Sequence, residues 1–190
     1  MDLIIQAIQY VQYVLKPKPK PKFNILLIGL DDPGKKAIFN YLCENTSIKY
    51  QNTIGRGKLE HKKNILKIHC VGGEEANMDL LAVYFSEKKK EFMVWLIFVV
   101  KTNDNDEGTI NKAKNELHRI VKGFSEPIVL IMGNDDNKLK TAAADDVVRD
   151  ILDLNNLNEM TWQYRPIKSK TGDGINESID WLVEEMKKMV

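Results

Sequence analysis

Two glycines and a lysine pose the first chemical question. They stand in the run Gly29-Leu30-Asp31-Asp32-Pro33-Gly34-Lys35-Lys36. The spacing fits G-x-x-x-x-G-K, a loop that turns successive backbone N–H groups toward phosphate oxygens at the start of a helix. The surroundings agree: an apolar run at 23–28 (FNILLI) precedes the loop and a helical pattern at 36–43 follows it. The plainer alternative is a chance strand–turn–helix. Three residues oppose phosphate binding. Lys36 occupies the place of the Ser/Thr hydroxyl that would hold Mg²⁺, and an ammonium cannot ligate a metal. Pro33 has no N–H to donate, and Asp32 sets a carboxylate beside the expected anion. Elsewhere the chemistry is sparse. His61, His69 and His118 show no metal-site spacing. Cys43 and Cys70 match neither a metal pattern nor a disulfide framework, so a reducing compartment is the natural reading.

The elements that must position this loop can be read from periodicity. Further strand-like runs lie at 65–71, 93–100 (MVWLIFVV) and 127–132, and further helical patterns at 76–86, 108–122, 143–152 and 176–189. Near-continuous apolar runs alternating with amphipathic helices predict an α/β fold, with a mostly parallel sheet covered by helices on both faces. Before it, Leu3, Ile4, Ala7, Ile8, Val11, Val14 and Leu15 recur at helical spacing, so residues 1–15 predict an amphipathic helix. The stretch from Lys16 to Lys22 alternates lysine with proline, which forbids a helix and favours an extended spacer. The expected organisation is an arm at 1–22 and one domain at 23–190.

Composition bounds the function. Of 190 residues, 43% are hydrophobic and 29% charged, enough for one core. A net charge of +1 gives no bulk electrostatic case for nucleic acid. No apolar run reaches membrane-spanning length, and the N-terminus lacks the charge order and cleavage site of a signal peptide. The expectation is a cytoplasmic protein whose residues 1–22 can meet an anionic membrane surface through four lysines beside an amphipathic helix.

Downstream motifs make the loop specific. NTIG spans Asn52–Gly55, and a short strand pair follows with its turn near Lys62–Asn64. VGGEE spans Val71–Glu75, FVVKTND spans Phe98–Asp104, and GNDDN spans Gly133–Asn137. KSKTGDGI runs from Lys168 to Ile175, ahead of IDWL at Ile179–Leu182. In order and spacing, from Phe23 onward, these resemble the ADP-ribosylation factor and Arf-like branch of small GTPases. The resemblance implies a P-loop NTPase G domain with a six-stranded sheet whose second strand is antiparallel. It also implies guanine-nucleotide contacts at Gly29, Asp31, Gly34, Lys35, Thr53, Gly73, Asn134, Asn137, Ser169 and Lys170.

Departures from the family pattern concentrate where its chemistry lies. The family's Mg²⁺-supporting aspartate is Cys70 and its metal-ligating threonine is Lys36, so no Mg²⁺ is expected. Its water-orienting glutamine is Glu74. Its base-reading aspartate is Asn137, which mismatches guanine's two donors. Its effector aromatics map to Arg56, His69 and Tyr84. The Gly needed for myristoylation is replaced by Asp2. Without Mg²⁺ support, Thr53 reads better as a solvated loop residue than as a γ-phosphate contact. Glu74 reads better as a helix-start carboxylate than as a water-positioning group. Two expectations follow. One is a pseudo-GTPase serving as a protein-interaction or scaffold module, a candidate subunit of a larger assembly or of membrane-trafficking machinery, with weak or absent GTP or GDP binding and no significant hydrolysis. The other is a divergent GTP-binding switch at membranes.

Overall fold

In the computed structural model the described residues are 21–30, 34–44, 48–51, 54–72, 95–101, 107–122, 124, 127–134, 143–157 and 160–189. The expected helices at 1–15 and 76–86 lie outside them. The strands are β1 (Lys22–Gly29), β2 (Lys49–Gln51), β3 (Ile54–His61), β4 (Asn64–Val71), β5 (Trp95–Lys101), β6 (Ile128–Asn134) and β7 (Thr161–Ile167). The helices are α1 (Lys35–Leu42), α2 (Glu107–Val121), α3 (Ala143–Ile151) and α4 (Ile175–Lys188), with a 3-10 turn at Leu154–Asn156.

One sheet runs in the order β2-β3-β4-β1-β5-β6-β7. β1 pairs in parallel with β4 and β5, β5 with β6, and β6 with β7, whereas β3 is antiparallel to β4 and to β2. The six expected strands are present, and the three residues Lys49–Gln51 add a seventh at the edge. The continuous apolar strands are explained by the two cores they serve. Phe23, Ile25 and Leu27 face a cluster completed by α1 and α4, while Leu26 and Ile28 face one completed by α2 and α3. Phe23 meets Trp95 edge-on, with ring centroids 6.3 Å apart, a pairing that adds about 0.5–1.5 kcal/mol beyond burial.

Two boundaries differ from the sequence reading. β1 begins at Lys22, one residue inside the expected linker, because Lys22 pairs with Ile65 and the Pro21 carbonyl accepts the Ile65 N–H at 2.8 Å. β7 was not legible as an apolar run. Its residues TWQYRPI alternate, with Trp162 and Tyr164 on one face and Gln163, Arg165 and Ile167 on the other. Pro166 is tolerated because β7 is an edge strand.

The hairpin between β3 and β4 turns through Lys62 and Lys63, both at positive φ (43° and 66°), as a two-residue primed turn requires. Asn64 steadies the turn by donating Nδ2–H bonds to the carbonyls of His61 (3.1 Å) and Lys62 (2.9 Å). The hairpin tip is fastened to α4: His61 Nε2–H donates to Asp180 Oδ1, and Lys62 Nζ lies 2.9 Å from the same oxygen. These bonds, that from Lys62 first, hold the Asp180 carboxyl below its usual value.

Candidate functional site

Parallel strands β1, β5, β6 and β7 end at the same edge of the sheet, where α/β proteins place their ligands. Three segments far apart in sequence meet there. Gly29 closes β1 so near β5 that a Cβ would lie 2.3 Å from the Val99 carbonyl oxygen. Gly34 opens α1 at φ 86°, and a Cβ there would lie 2.6 Å from Asn134 Nδ2 and 2.7 Å from Ser169 Oγ. Only glycine lets the loop backbone come this close.

Lys35 is 7% exposed, and its Nζ donates to the Gly29 carbonyl at 2.9 Å and to the Leu30 carbonyl. The ammonium is thereby folded against the backbone of the loop. Gly34 at the N-cap supplies no side-chain hydrogen bond, and no acid sits in the first turn of α1. Lys36, one residue on, is exposed.

Asn134 ends β6, and its Oδ1 accepts the Ser169 N–H at 3.0 Å. Its amide thus joins the end of β6 to the loop after β7, with Nδ2 directed at Gly34. Ser169 is buried, whereas Lys170 is exposed. Asp31, Thr53, Gly73, Glu74 and Asn137 lie outside the described residues, as do Asp32, Pro33 and Tyr84. Of the expected contacts, the structure therefore brings together Gly29, Gly34, Lys35, Asn134 and Ser169.

Cys70 lies on β4 beside β1, close enough to Lys35 and Cys43 to feel both. Burial pushes its thiol up to about 11; the Lys35 ammonium opposes that shift and Cys43 adds to it. At neutral pH the thiol is protonated. At these two positions a neutral thiol and an ammonium supply no anionic oxygen, so neither side chain suits Mg²⁺. Among the described residues no cluster of three His, Cys, Asp or Glu could hold a metal ion.

Two supports were not singled out in the sequence. Tyr164, 2% exposed, lies across Gly133, where a Cβ would be 2.3 Å from its hydroxyl. That ring backs the residue before Asn134. Lys101 ends β5 in register with Asn134 and brings a further cation to the same edge. Tyr164 follows no motif, and Lys101, though inside FVVKTND, reaches this edge through its pairing with β6.

The sequence profile of the ADP-ribosylation factor family matches residues 10–186. The chain belongs to this family. Its fold is that of a small GTPase G domain. It is similar to the solved Arl6 (BBS3) small GTPase from Trypanosoma brucei with bound nucleotide analogue GppNp. The two share 22% identity and a TM-score of 0.72, over 89% of this chain and 99% of that one. It is also similar to a putative nucleolar GTP-binding protein 1 from Plasmodium falciparum. There the identity is 18% and the TM-score 0.66, over 91% and 90% of the two chains. Among the described residues no helix is long and apolar enough to cross a membrane.

Proposed function

We propose that this ADP-ribosylation-factor-like chain works as a pseudo-GTPase. In this reading its G domain is a protein-interaction module in a larger assembly or in membrane trafficking. It binds guanine nucleotide weakly and does not hydrolyse it significantly. The observation that carries this reading is the protonated Cys70 thiol where the family has its Mg²⁺-supporting aspartate, together with the ammonium of Lys36 at the metal-ligand position. The family's nucleotides arrive as Mg²⁺ complexes, and each lost charge-assisted contact removes roughly 1.5–3 kcal/mol. Three or four such losses would bring a very tight site to micromolar affinity or weaker. The protein then resides in the cytoplasm, with residues 1–22 available to an anionic membrane surface.

The intact frame around Lys35 favours a second reading, a divergent switch that holds nucleotide without Mg²⁺. One experiment separates the two. Nucleotide is extracted from the pure protein, and a fluorescent GDP or GTP analogue is then titrated with and without EDTA. The pseudo-GTPase reading expects largely empty protein, no effect of EDTA and no hydrolysis above background. It also expects that Lys36→Thr alone restores nothing, since Cys70 and Asn137 remain. Stoichiometric guanine nucleotide released by EDTA would sink it.

A further inference from the structure

Helix α1 meets the loop after β7 at both of its ends, and only the first contact belongs to a motif. At the first end Gly34 lies against Asn134 and Ser169. At the second, roughly 10 Å further along the helix, the half-buried ring of Tyr41 lies across Gly172. A Cβ on Gly172 would stand 2.2 Å from Tyr41 Cε2, and the backbone there is at φ 83°, so both space and conformation call for glycine. The Tyr41 hydroxyl accepts the Asn176 Nδ2–H at 3.0 Å, across 135 residues of sequence, which fastens the ring to the first turn of α4.

The loop between these contacts is closed on itself. Gly172 N–H donates to the Lys168 carbonyl at 2.9 Å, and Lys168 N–H to the Asp173 carbonyl at 3.0 Å. Its tie to β6 is the Ser169 N–H on Asn134 Oδ1. A closed turn can pivot about one such bond, worth only about 1 kcal/mol net. The ring of Tyr41 gives it a second point of support. Core packing, in which Tyr41 also takes part, would be met as well by leucine. A planar ring laid on a glycine, with its hydroxyl bonded across to α4, is a more specific arrangement.

Resting on the reading that this site binds guanine nucleotide weakly, we propose that Tyr41 is a positioning residue of that site. It sets the separation between the phosphate loop, which α1 carries, and the base-reading end, to which Asn134 and Ser169 belong. Its ring acts through Gly172 and not by touching the nucleotide. A nucleotide must reach both ends at once, whereas inorganic pyrophosphate needs only the first. Without the brace the loop is in place for a smaller fraction of the time, and the apparent nucleotide affinity falls by that fraction.

The test compares the full wild-type chain with Tyr41→Ala, Tyr41→Phe and Asn176→Ala. Amide hydrogen exchange read by mass spectrometry reports on the loop without any ligand. Tyr41→Ala should speed exchange over residues 168–174 at least about fivefold and leave α2 within about twofold of wild type. Tyr41→Phe keeps the ring and should retain most of the protection. Asn176→Ala, at an exposed site, should give a smaller effect in the same direction and carries the test if Tyr41→Ala does not fold. Binding of a fluorescent GDP analogue should weaken about tenfold in Tyr41→Ala, while pyrophosphate binding, followed by calorimetry, should change less than about twofold. Unchanged exchange in the loop, equal acceleration in α2, or equal losses for the two ligands would overturn the proposal. If wild type binds nucleotide and Tyr41→Ala binds it equally well, this proposal falls alone. If wild type binds no nucleotide, the reading of weak binding falls and takes the proposal with it.

Discussion

Cys70 and Gly133 show how single residues set the character of the candidate site. With its thiol pushed up to about 11, Cys70 holds about one thiolate in a thousand at pH 8. Iodoacetamide labelling of native protein should therefore be slow at pH 8 and accelerate toward pH 11, with the modified cysteine located by mass spectrometry. Rapid labelling of Cys70 at pH 7 would contradict the assignment of a neutral, half-buried thiol. The sign for stability follows. The unfolded thiol loses its proton near its ordinary value of about 9 while the folded one keeps it, so this group makes stability fall as pH rises between those values. Gly133 offers a test of the support behind Asn134. Gly133→Ala would drive a methyl into the Tyr164 hydroxyl, 2.3 Å from the ideal Cβ. Overpacking of this kind costs about 1–3 kcal/mol. The expected result is a lower urea midpoint; an unchanged midpoint would mean that the ring moves aside freely. At this scale Gly29, Gly34, Lys35, Asn134 and Ser169 were legible because motif spacing ties them to a loop. Tyr164 was not, because it reaches the site only once β7 has paired with β6.

Among the elements, the β3–β4 hairpin carries the most information. Its tip is clasped to α4 by His61 and Lys62 on Asp180. The Asp180 carboxyl is held below its usual value, so the unfolded chain takes up its proton first. The clasp thus contributes stability above about pH 4 and loses it as pH falls through the lower folded value. Because the group is solvent-accessible, the contribution is well under about 1 kcal/mol. Asp180→Asn should flatten this part of the acid limb of the stability profile and speed amide exchange at the turn around Lys62–Asn64. Equal exchange in the two proteins would show that the clasp does not restrain the hairpin. The hairpin was readable from its position between two motifs, whereas β2 was not, since three residues carry no period. β7 escaped for a related reason: half its side chains are polar because one of its faces is only partly covered.

For the whole molecule, the expected division into an arm and a domain is open to test by truncation. Pro21 and Lys22 are tied to β4 through Ile65, so a truncation that tests the expected arm should end at residue 20. Deleting 1–20 should leave a chain with a cooperative thermal transition and unchanged far-ultraviolet circular dichroism of the sheet. A truncated chain that fails to fold would make the arm part of the core. The doubly wound architecture was legible because strands buried on both faces must be apolar throughout, as Ile25–Ile28 and Ile128–Met132 are. Strand order was not, because hydrophobicity says which residues are inside and not which neighbours they find there. That order places the first strand of the sequence at the centre of the sheet, between β4 and β5. On the ribosome, β1 therefore emerges with no partner. Its first neighbour is not complete until residue 71 has been made, and its second not until residue 101. At roughly 5–20 residues per second, the stretch FNILLI stays uncovered for several seconds of synthesis. That interval makes the nascent chain a client for chaperones that hold short apolar strands.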